Sequence, residues 1–86
     1  MSVSVEWFRR NEELGGAERR NRDRLEAAFI QAFLNKAEWI AKVIREETEG
    51  FRIQFVDMNG RSRGPTIPFS WMASFSDIRD ATSFLR

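Results

Sequence analysis

Hydrophobic residues between Asn21 and Glu49 recur with the spacing of one long helix. The segment contains no Gly or Pro, and it is followed by Gly50, a residue common just past a helix C-terminus. At about 100° per residue, its apolar positions gather on one face. These positions are Leu25, Ala28, Phe29, Ala32, Trp39, Ile40 and Val43. We therefore predict a helix over Asn21–Glu49 against which the other elements pack.

Two features near the middle of this segment support a kink or a break as the alternative. Lys36 falls within the apolar face, where its aliphatic stem would have to extend past the core to reach water. Asn35 and Glu38 have the spacing of a helix capping box, which is typical of a helix start.

A second apolar stripe on the same predicted helix indicates a protein interface. The stripe consists of Ile30, Leu34, Ala37 and Ala41. The charged residues at the helix ends oppose its dipole, so each end is either solvated or paired with a group outside the helix. They are Arg19, Arg20, Arg22 and Arg24 at the start, and Glu46, Glu47 and Glu49 at the end. An antiparallel homodimer would bury the stripe and match these charges; the alternative is that the N-terminal strand of the same chain covers it.

Beyond Gly50 the apolar spacing becomes that of a β-hairpin. Phe51, Ile53 and Phe55 alternate with polar residues, the segment Asp57–Gly60 is typical of a turn, and Ile67 and Phe69 alternate on the return strand.

The parity of this hairpin constrains its loop. A two-residue turn at Asn59 and Gly60 would put Ile67 on the wrong face, because a slip of one residue reverses a strand. We therefore predict an odd-numbered loop, or a bulge at Gly64, with Phe51 opposite Phe69 and Ile53 opposite Ile67. Pro65 and Pro68 lack amide donors, which indicates an edge strand.

The two ends of the chain predict shorter elements. Residues 2–8 alternate, with Val3, Val5 and Trp7 on one side, which favours a strand over a short helix across Val5–Leu14. Near the other end, Ser74 and Asp77 have N-cap and N3 spacing, so a second helix starts there. Its apolar stripe is Ile78, Ala81, Phe84 and Leu85. The fold class is thus α+β: a long central helix, a small antiparallel sheet built on a hairpin, with or without an N-terminal third strand, and a short C-terminal helix.

Composition narrows the classes of function. The 86 residues suit one domain spanning 1–86, with a net charge of +1. The sequence contains no Cys, which excludes disulfides and thiol catalysis, and no His, which removes the commonest general base and metal ligand. No Ser has the sequence context of a catalytic nucleophile, and Asp57, Asn59 and Gly60 are explained by a turn without calcium. We expect no catalytic residues, no metal and no cofactor, and therefore no enzyme.

The arginines provide the main alternative function. Arg19, Arg20, Arg22 and Arg24 form a cluster, and the hairpin tip adds Arg61 and Arg63. Such groups can contact phosphates, but Glu18 and Asp23 interrupt the cluster and no aromatic stacking surface accompanies it.

These observations favour a small binding or assembly module that acts through protein contacts, with nucleic-acid binding through the arginines as the alternative. The order of elements resembles, in topology only, small helix–hairpin–helix proteins of phage morphogenesis and phage inhibition, which implies a role of phage or mobile-element type. The first residues lack the basic start and long apolar run of a signal peptide, and no segment is apolar enough to span a membrane. A cytoplasmic location is expected.

Overall fold

The computed structural model describes residues 3–9, 11–34 and 38–83. The elements follow one another as β1 (Ser4–Glu6), a 3-10 helix (Asn11–Glu13), α1 (Gly16–Ala32), β2 (Ile40–Glu46), β3 (Gly50–Val56), β4 (Ile67–Ser70) and α2 (Phe75–Ala81). The predicted α+β class, with one long helix, a small sheet and a short C-terminal helix, is confirmed.

The four strands form one mixed sheet in the order β1-β2-β3-β4. β1 pairs in parallel with β2, whereas β2–β3 and β3–β4 are antiparallel. The sheet is mixed, not purely antiparallel, because α1 connects two neighbouring strands that run the same way. The strand prediction for the N-terminal segment is confirmed over Ser4–Glu6, and the rival helix over Val5–Leu14 is wrong.

One face of the sheet is buried and the other is open. The buried strand residues are Ala41, Val43, Phe51, Ile53, Phe55, Ile67 and Phe69. Phe29 of α1 crosses this face, with its ring centroid 5.4 Å from that of Phe69 and 6.4 Å from those of Phe51 and Phe55. α2 adds the fully buried Ile78 to the same core, and the two helices pack against each other. Both helices therefore lie on one side of the sheet.

The prediction of a helix from Asn21 to Glu49 is wrong in its second half. α1 begins earlier, at Gly16, and ends at Ala32; residues Ile40–Glu46 form β2, and Gly50 opens β3. The apolar face predicted for the first half is correct, since Leu25, Ala28 and Phe29 are buried. The alternative of a break is thus closer to the structure. Asn35, Lys36 and Ala37, on which the details of that break depend, lie outside the described residues.

A β-bulge in β2 decides which of its charged residues faces the core. Val43 lies opposite Ile53, but the next paired residue is Arg45, opposite Arg52, so Ile44 is the extra residue. Ile44 and Arg45 both remain exposed, and the following residue, Glu46, returns to the buried side opposite Phe51. A bulge re-aims side chains in this way because it breaks the strict alternation of the strand.

The predicted register of the β3–β4 hairpin is confirmed. Phe51 pairs with Phe69 and Ile53 with Ile67, and β4 is an edge strand. At the tip, the amide of Asp57 donates to the carbonyl of Arg61 at 2.9 Å, which leaves residues 58–60 as an odd-numbered loop. The odd-numbered loop therefore sets the register, as predicted. Between the Val56–Ser62 bridge and the Ile53–Ile67 pair, the return segment has two more residues than β3, and Gly64, with φ 109°, lies among them. This even excess leaves the parity unchanged, so the alternative of a one-residue bulge at Gly64 is not the device used.

α2 starts as predicted and buries a different stripe. The Ser74 hydroxyl accepts from the Asp77 amide at 3.2 Å, and the Asp77 carboxylate accepts from the Ser74 amide at 2.9 Å, which completes a capping box. Ile78 is buried as expected, but Ala81 is exposed and Thr82 takes the inner position, donating to the Ile78 carbonyl at 2.6 Å. Phe84 and Leu85 lie outside the described residues.

Neither helix of the described residues combines the length and apolar character needed to cross a membrane.

Candidate functional site

A closed ring of hydrogen bonds joins the N-terminal segment to both layers of the fold. Arg22 of α1 donates from Nη2 to Glu46 Oε1 at 2.6 Å and from Nη1 to the carbonyl of Arg9 at 2.7 Å. The amide of Arg9 donates to the other oxygen of Glu46, Oε2, at 2.6 Å. Both charged side chains are only 4% exposed. The ring therefore holds the backbone amide and carbonyl of one residue, Arg9, between a helix cation and a strand anion.

Aromatic side chains cover this ring. The guanidinium of Arg22 lies 4.5 Å from the centroid of the Trp7 ring, a distance suited to a cation–π contact. Trp7 stacks on Trp71 at 6.3 Å, and its indole N–H donates to the carboxylate of Glu26. Trp71 in turn donates from Nε1 to the carbonyl of Glu47 at 2.7 Å. Two of the three tryptophans thus link the strand ends to α1, while Trp39 is buried in the core.

A cleft of about 600 Å³ opens beside this ring, between the start of α1 and the β2–β3 turn. Its lining residues are Arg9, Ala17, Glu18, Asn21, Arg22, Glu46, Glu47, Thr48 and Trp71. The charges at its base are already paired, because the Arg22–Glu46 contact satisfies both partners inside the chain. Among the described residues, no buried side-chain nitrogen or oxygen lacks a hydrogen-bond partner. The charged groups at the base of the cleft therefore serve to hold elements of the fold together.

The open face of the sheet presents the other distinctive surface. Phe8 is 66% exposed and Ile44 is 39% exposed. The parallel register sets Glu6 beside Lys42, and Phe8 and Ile44 each follow this pair by two residues, so both lie towards the same end of the sheet. Ile40 and Val56 pair with each other at the far end of the same face and are half-buried. The open face thus carries an apolar area bordered by charged strand residues.

The structure does not bring the four residues of the predicted protein interface onto one helix. Ile30 and Leu34 are exposed, at 38% and 56%, on and just after the last turns of α1. Ala41 belongs to β2 and is fully buried, so it cannot line that stripe. Ala37 lies outside the described residues. The continuous helical seam is therefore not formed, and of the three members that the structure describes, Ile30 and Leu34 are accessible.

The two arginine groups occupy opposite ends of the sheet. Arg22 meets Glu46 at the end of β2, whereas the guanidinium of Arg63 lies 5.3 Å from the ring centroid of Trp39, just before β2 begins. The seven residues of β2 separate the two groups by roughly 20 Å, at about 3.3 Å per residue.

The arginines of the first group also differ in their surroundings. Arg22 is buried in the ring, and Arg24 donates to the carbonyls of Trp71 and Ala73 at 2.9 and 2.7 Å. Arg19 and Arg20 are exposed on α1. The sequence pattern treated these four residues alike, while the fold buries Arg22 and engages Arg24 with backbone carbonyls.

The turn at the hairpin tip uses its carboxylate to hold its own backbone. Asp57 Oδ1 accepts from the amides of Arg61 and Asn59, at 3.0 and 2.9 Å. The hydrogen bond from the Arg61 amide keeps the pKa of Asp57 below its ordinary value. Gly60 adopts φ 79°, which only glycine accepts readily. Within the described ranges, no group of three acidic side chains is placed to hold a metal ion.

The Arg22–Glu46 pair was not predicted, although the sequence contained a signal for it. The arginines and glutamates at the two ends of Asn21–Glu49 oppose the helix dipole, which is why partners outside the helix were considered. The partner of Arg22 lies within the same chain, since the segment folds back as α1 and β2. An antiparallel homodimer is therefore not needed to neutralise Arg22, which was part of the charge argument for it.

No family model, no curated protein and no solved structure matches this chain. A proposal for its function therefore depends on the geometry described above.

Proposed function

We propose that this chain is a non-enzymatic binding module that acts through protein–protein contacts on the open face of its sheet. The observation that carries the proposal is the exposure of Phe8 and Ile44 on a face that neither helix covers. Large apolar side chains that share one surface are typical of interaction sites. The absence of Cys and His from the sequence is consistent with a role other than catalysis.

A photo-crosslinking amino acid at position 8 tests this proposal in cells that express the protein. We expect a defined crosslinked partner from position 8, and we expect Ile44→Glu to suppress it. The matched control is position 72, because Met72 is more exposed, at 81%, but lies in the loop before α2. Equal crosslinking from positions 8 and 72, or crosslinking that Ile44→Glu leaves unchanged, would contradict the proposed surface.

Self-association through Ile30 and Leu34 is a separate protein contact, because α1 lies on the side of the sheet away from the open face. These residues keep the apolar exposure that a two-fold contact requires. Light scattering at tens of micromolar is the measurement, where about 1 μM affinity or better gives a dimer. A dimer that Leu34→Glu dissociates would place the contact on α1, and a monomer at that concentration would exclude it.

Nucleic-acid binding is the second candidate, and the arrangement of the arginines weighs against it. Arg22 is buried, and the two arginine groups lie at opposite ends of β2. A gel shift at low salt with DNA and RNA tests this alternative, since phosphate contacts weaken steeply as salt rises. A complex that the variant Arg20→Gln, Arg61→Gln destroys would favour nucleic acid. We keep the expected cytoplasmic location as part of the proposal, and fractionation of the expressing cells tests it.

The observed element order, β-α-β-β-β-α, differs from the helix–hairpin–helix order that suggested a phage-type role. The topological analogy therefore no longer contributes to the proposal.

A further inference from the structure

The bulge in β2 places two arginines directly opposite each other on the open face. Arg45 pairs with Arg52 in the antiparallel register, although like charges at opposite positions disfavour pairing. Arg45 contacts the carboxylate of Glu47 at 2.7 Å, and both of these side chains are exposed. Arg52 donates to the neutral hydroxyl of Thr66 at 3.3 Å, which leaves its charge unbalanced by that contact. The strand pairing thus sets two guanidinium groups beside one carboxylate, which leaves a net positive charge at this point of the open face.

The other charged residues of the strands do not cancel the positive charge at Arg45 and Arg52. Lys42 is exposed on the same face, opposite the neutral Gln54, and its neighbour on the other side is Glu6. The open face of the described strands therefore has three basic residues against Glu6, and it keeps an excess of positive charge when the Glu47 carboxylate beside Arg45 is included. Exposed positive charge of this kind attracts an anionic partner and guides its orientation.

The apolar residues beside the arginines indicate which class of anion fits. Phe8 and Ile44 lie at the same end of the face as Arg45. Phe8 is the exposed aromatic residue beside these strands, since every Phe within the described strands points into the core. One ring does not make the series of aromatic side chains on which successive bases stack. Phosphates need no apolar contact, whereas a protein segment can supply carboxylates and an apolar side chain together. The combination favours an acidic protein segment.

We infer that the open face binds an acidic segment of a partner protein. An apolar side chain of that segment covers Phe8 and Ile44, and its Asp or Glu carboxylates pair with Arg45 and Arg52. Arginine suits this role because its guanidinium forms bidentate contacts with a carboxylate. This inference rests on the proposed function, and it adds the chemistry of the partner.

Fluorescence anisotropy with defined probes tests the inference on the full chain. The probes are a labelled peptide of alternating Glu and Leu, the same peptide with Lys in place of Glu, and a single-stranded DNA oligonucleotide. We expect the Glu peptide to bind best and its affinity to fall as salt rises from roughly 50 to 200 mM. Arg52→Gln and Arg45→Gln should each weaken binding by about three- to fivefold, as expected for one exposed charge.

Two controls separate binding from folding. Arg20→Gln removes an exposed arginine of α1 and should leave the affinity unchanged. Arg52→Gln should not lower the midpoint of thermal unfolding, because it removes a like-charge pair.

Equal binding of the Glu and Lys peptides, unchanged binding of Arg52→Gln, or tightest binding to the oligonucleotide would each overturn the inference. If position 8 still crosslinks a partner while the Glu peptide does not bind, the proposed function stands and the acidic-partner inference fails.

Discussion

At the scale of single residues, the close approach of β3 and β4 depends on the absence of one side chain. Gly50 opens β3 opposite Ser70. A Cβ added to Gly50 would lie 2.2 Å from the carbonyl oxygen of Phe69, which is backbone and cannot rotate away. The sequence suggested glycine here as the end of a helix, whereas the fold uses it to bring two strands together.

We predict that Gly50→Ala destabilises the protein by about 1–3 kcal/mol, because the strands must separate to admit the methyl group. The measurement is urea unfolding followed by tryptophan fluorescence. Gly16→Ala is the matched control: its added Cβ meets only the flexible end of Arg20 at 3.5 Å, and alanine favours the helix. The control should be neutral or stabilising. A Gly50→Ala variant as stable as the wild type would show that the two strands can move apart at no cost.

At the scale of elements, α2 depends on its capping box more than on its length. The helix has seven residues, so its unpaired amides form a large share of its backbone groups. The hydrogen bonds from Ser74, first its amide and then its hydroxyl, keep the pKa of Asp77 below the ordinary value of 3.8. A carboxyl whose pKa is lowered by folding stabilises the folded state at higher pH. That contribution disappears as the pH falls from about 3.8 through the lowered pKa.

We predict that Ser74→Ala destabilises the protein by about 1 kcal/mol at neutral pH. Asp77 would then lose a hydrogen bond that favours its charged form, so the variant should lose less additional stability than the wild type below pH 3.8. Chemical unfolding at neutral and acidic pH measures both effects. Ser76→Ala, which changes an exposed serine of the same turn, should match the wild type at both pH values.

The elements also show which parts of this fold a sequence can predict. Parity fixed the hairpin register, because only one pairing puts Phe51 and Phe69 on the same face. The same reasoning failed for β2 because its bulge imitates a helix. Ile40, Val43 and Ile44 have the i, i+3, i+4 spacing of a helical face, and the extra residue at Ile44 disrupts the alternation that would have identified a strand.

The candidate surface was less predictable for a related reason. Neither Phe8 nor Ile44 stands out in the sequence, since the two residues come to the same end of the sheet only when β1 and β2 pair in parallel. Likewise, the pairing of Arg22 with Glu46 depends on a reversal of the chain that local patterns do not encode. The predicted stripe of Ile30, Leu34, Ala37 and Ala41 required a helix that continues past Ala32.

At the scale of the whole molecule, the Arg22–Glu46 ring connects three parts of the chain. The helix supplies the cation, β2 supplies the anion, and Arg9 supplies the backbone carbonyl and amide that they bind. Burial makes each charge dependent on the other, because removing one partner leaves an uncompensated charge in a dry environment.

We predict that Glu46→Gln destabilises the protein by about 3–5 kcal/mol, since it leaves Arg22 buried without its counter-charge. The double variant Arg22→Met, Glu46→Leu should recover most of this loss, because it removes both charges together. Urea unfolding gives the free energies. Glu47→Gln is the control, as it breaks the exposed contact with Arg45 and should cost less than about 1 kcal/mol. A small effect of Glu46→Gln would mean that water reaches the ring.

The parallel pairing of β1 with β2 also sets an order in time. During synthesis, β1 leaves the ribosome before α1 and well before β2, so Ser4 must wait for its partner Ile40. The β2–β3–β4 pairings join neighbouring segments and close over short loops, which makes them the faster contacts. We therefore expect β1, although it is made before the other three strands, to dock after them, and the ring of Arg9, Arg22 and Glu46 to close at that step.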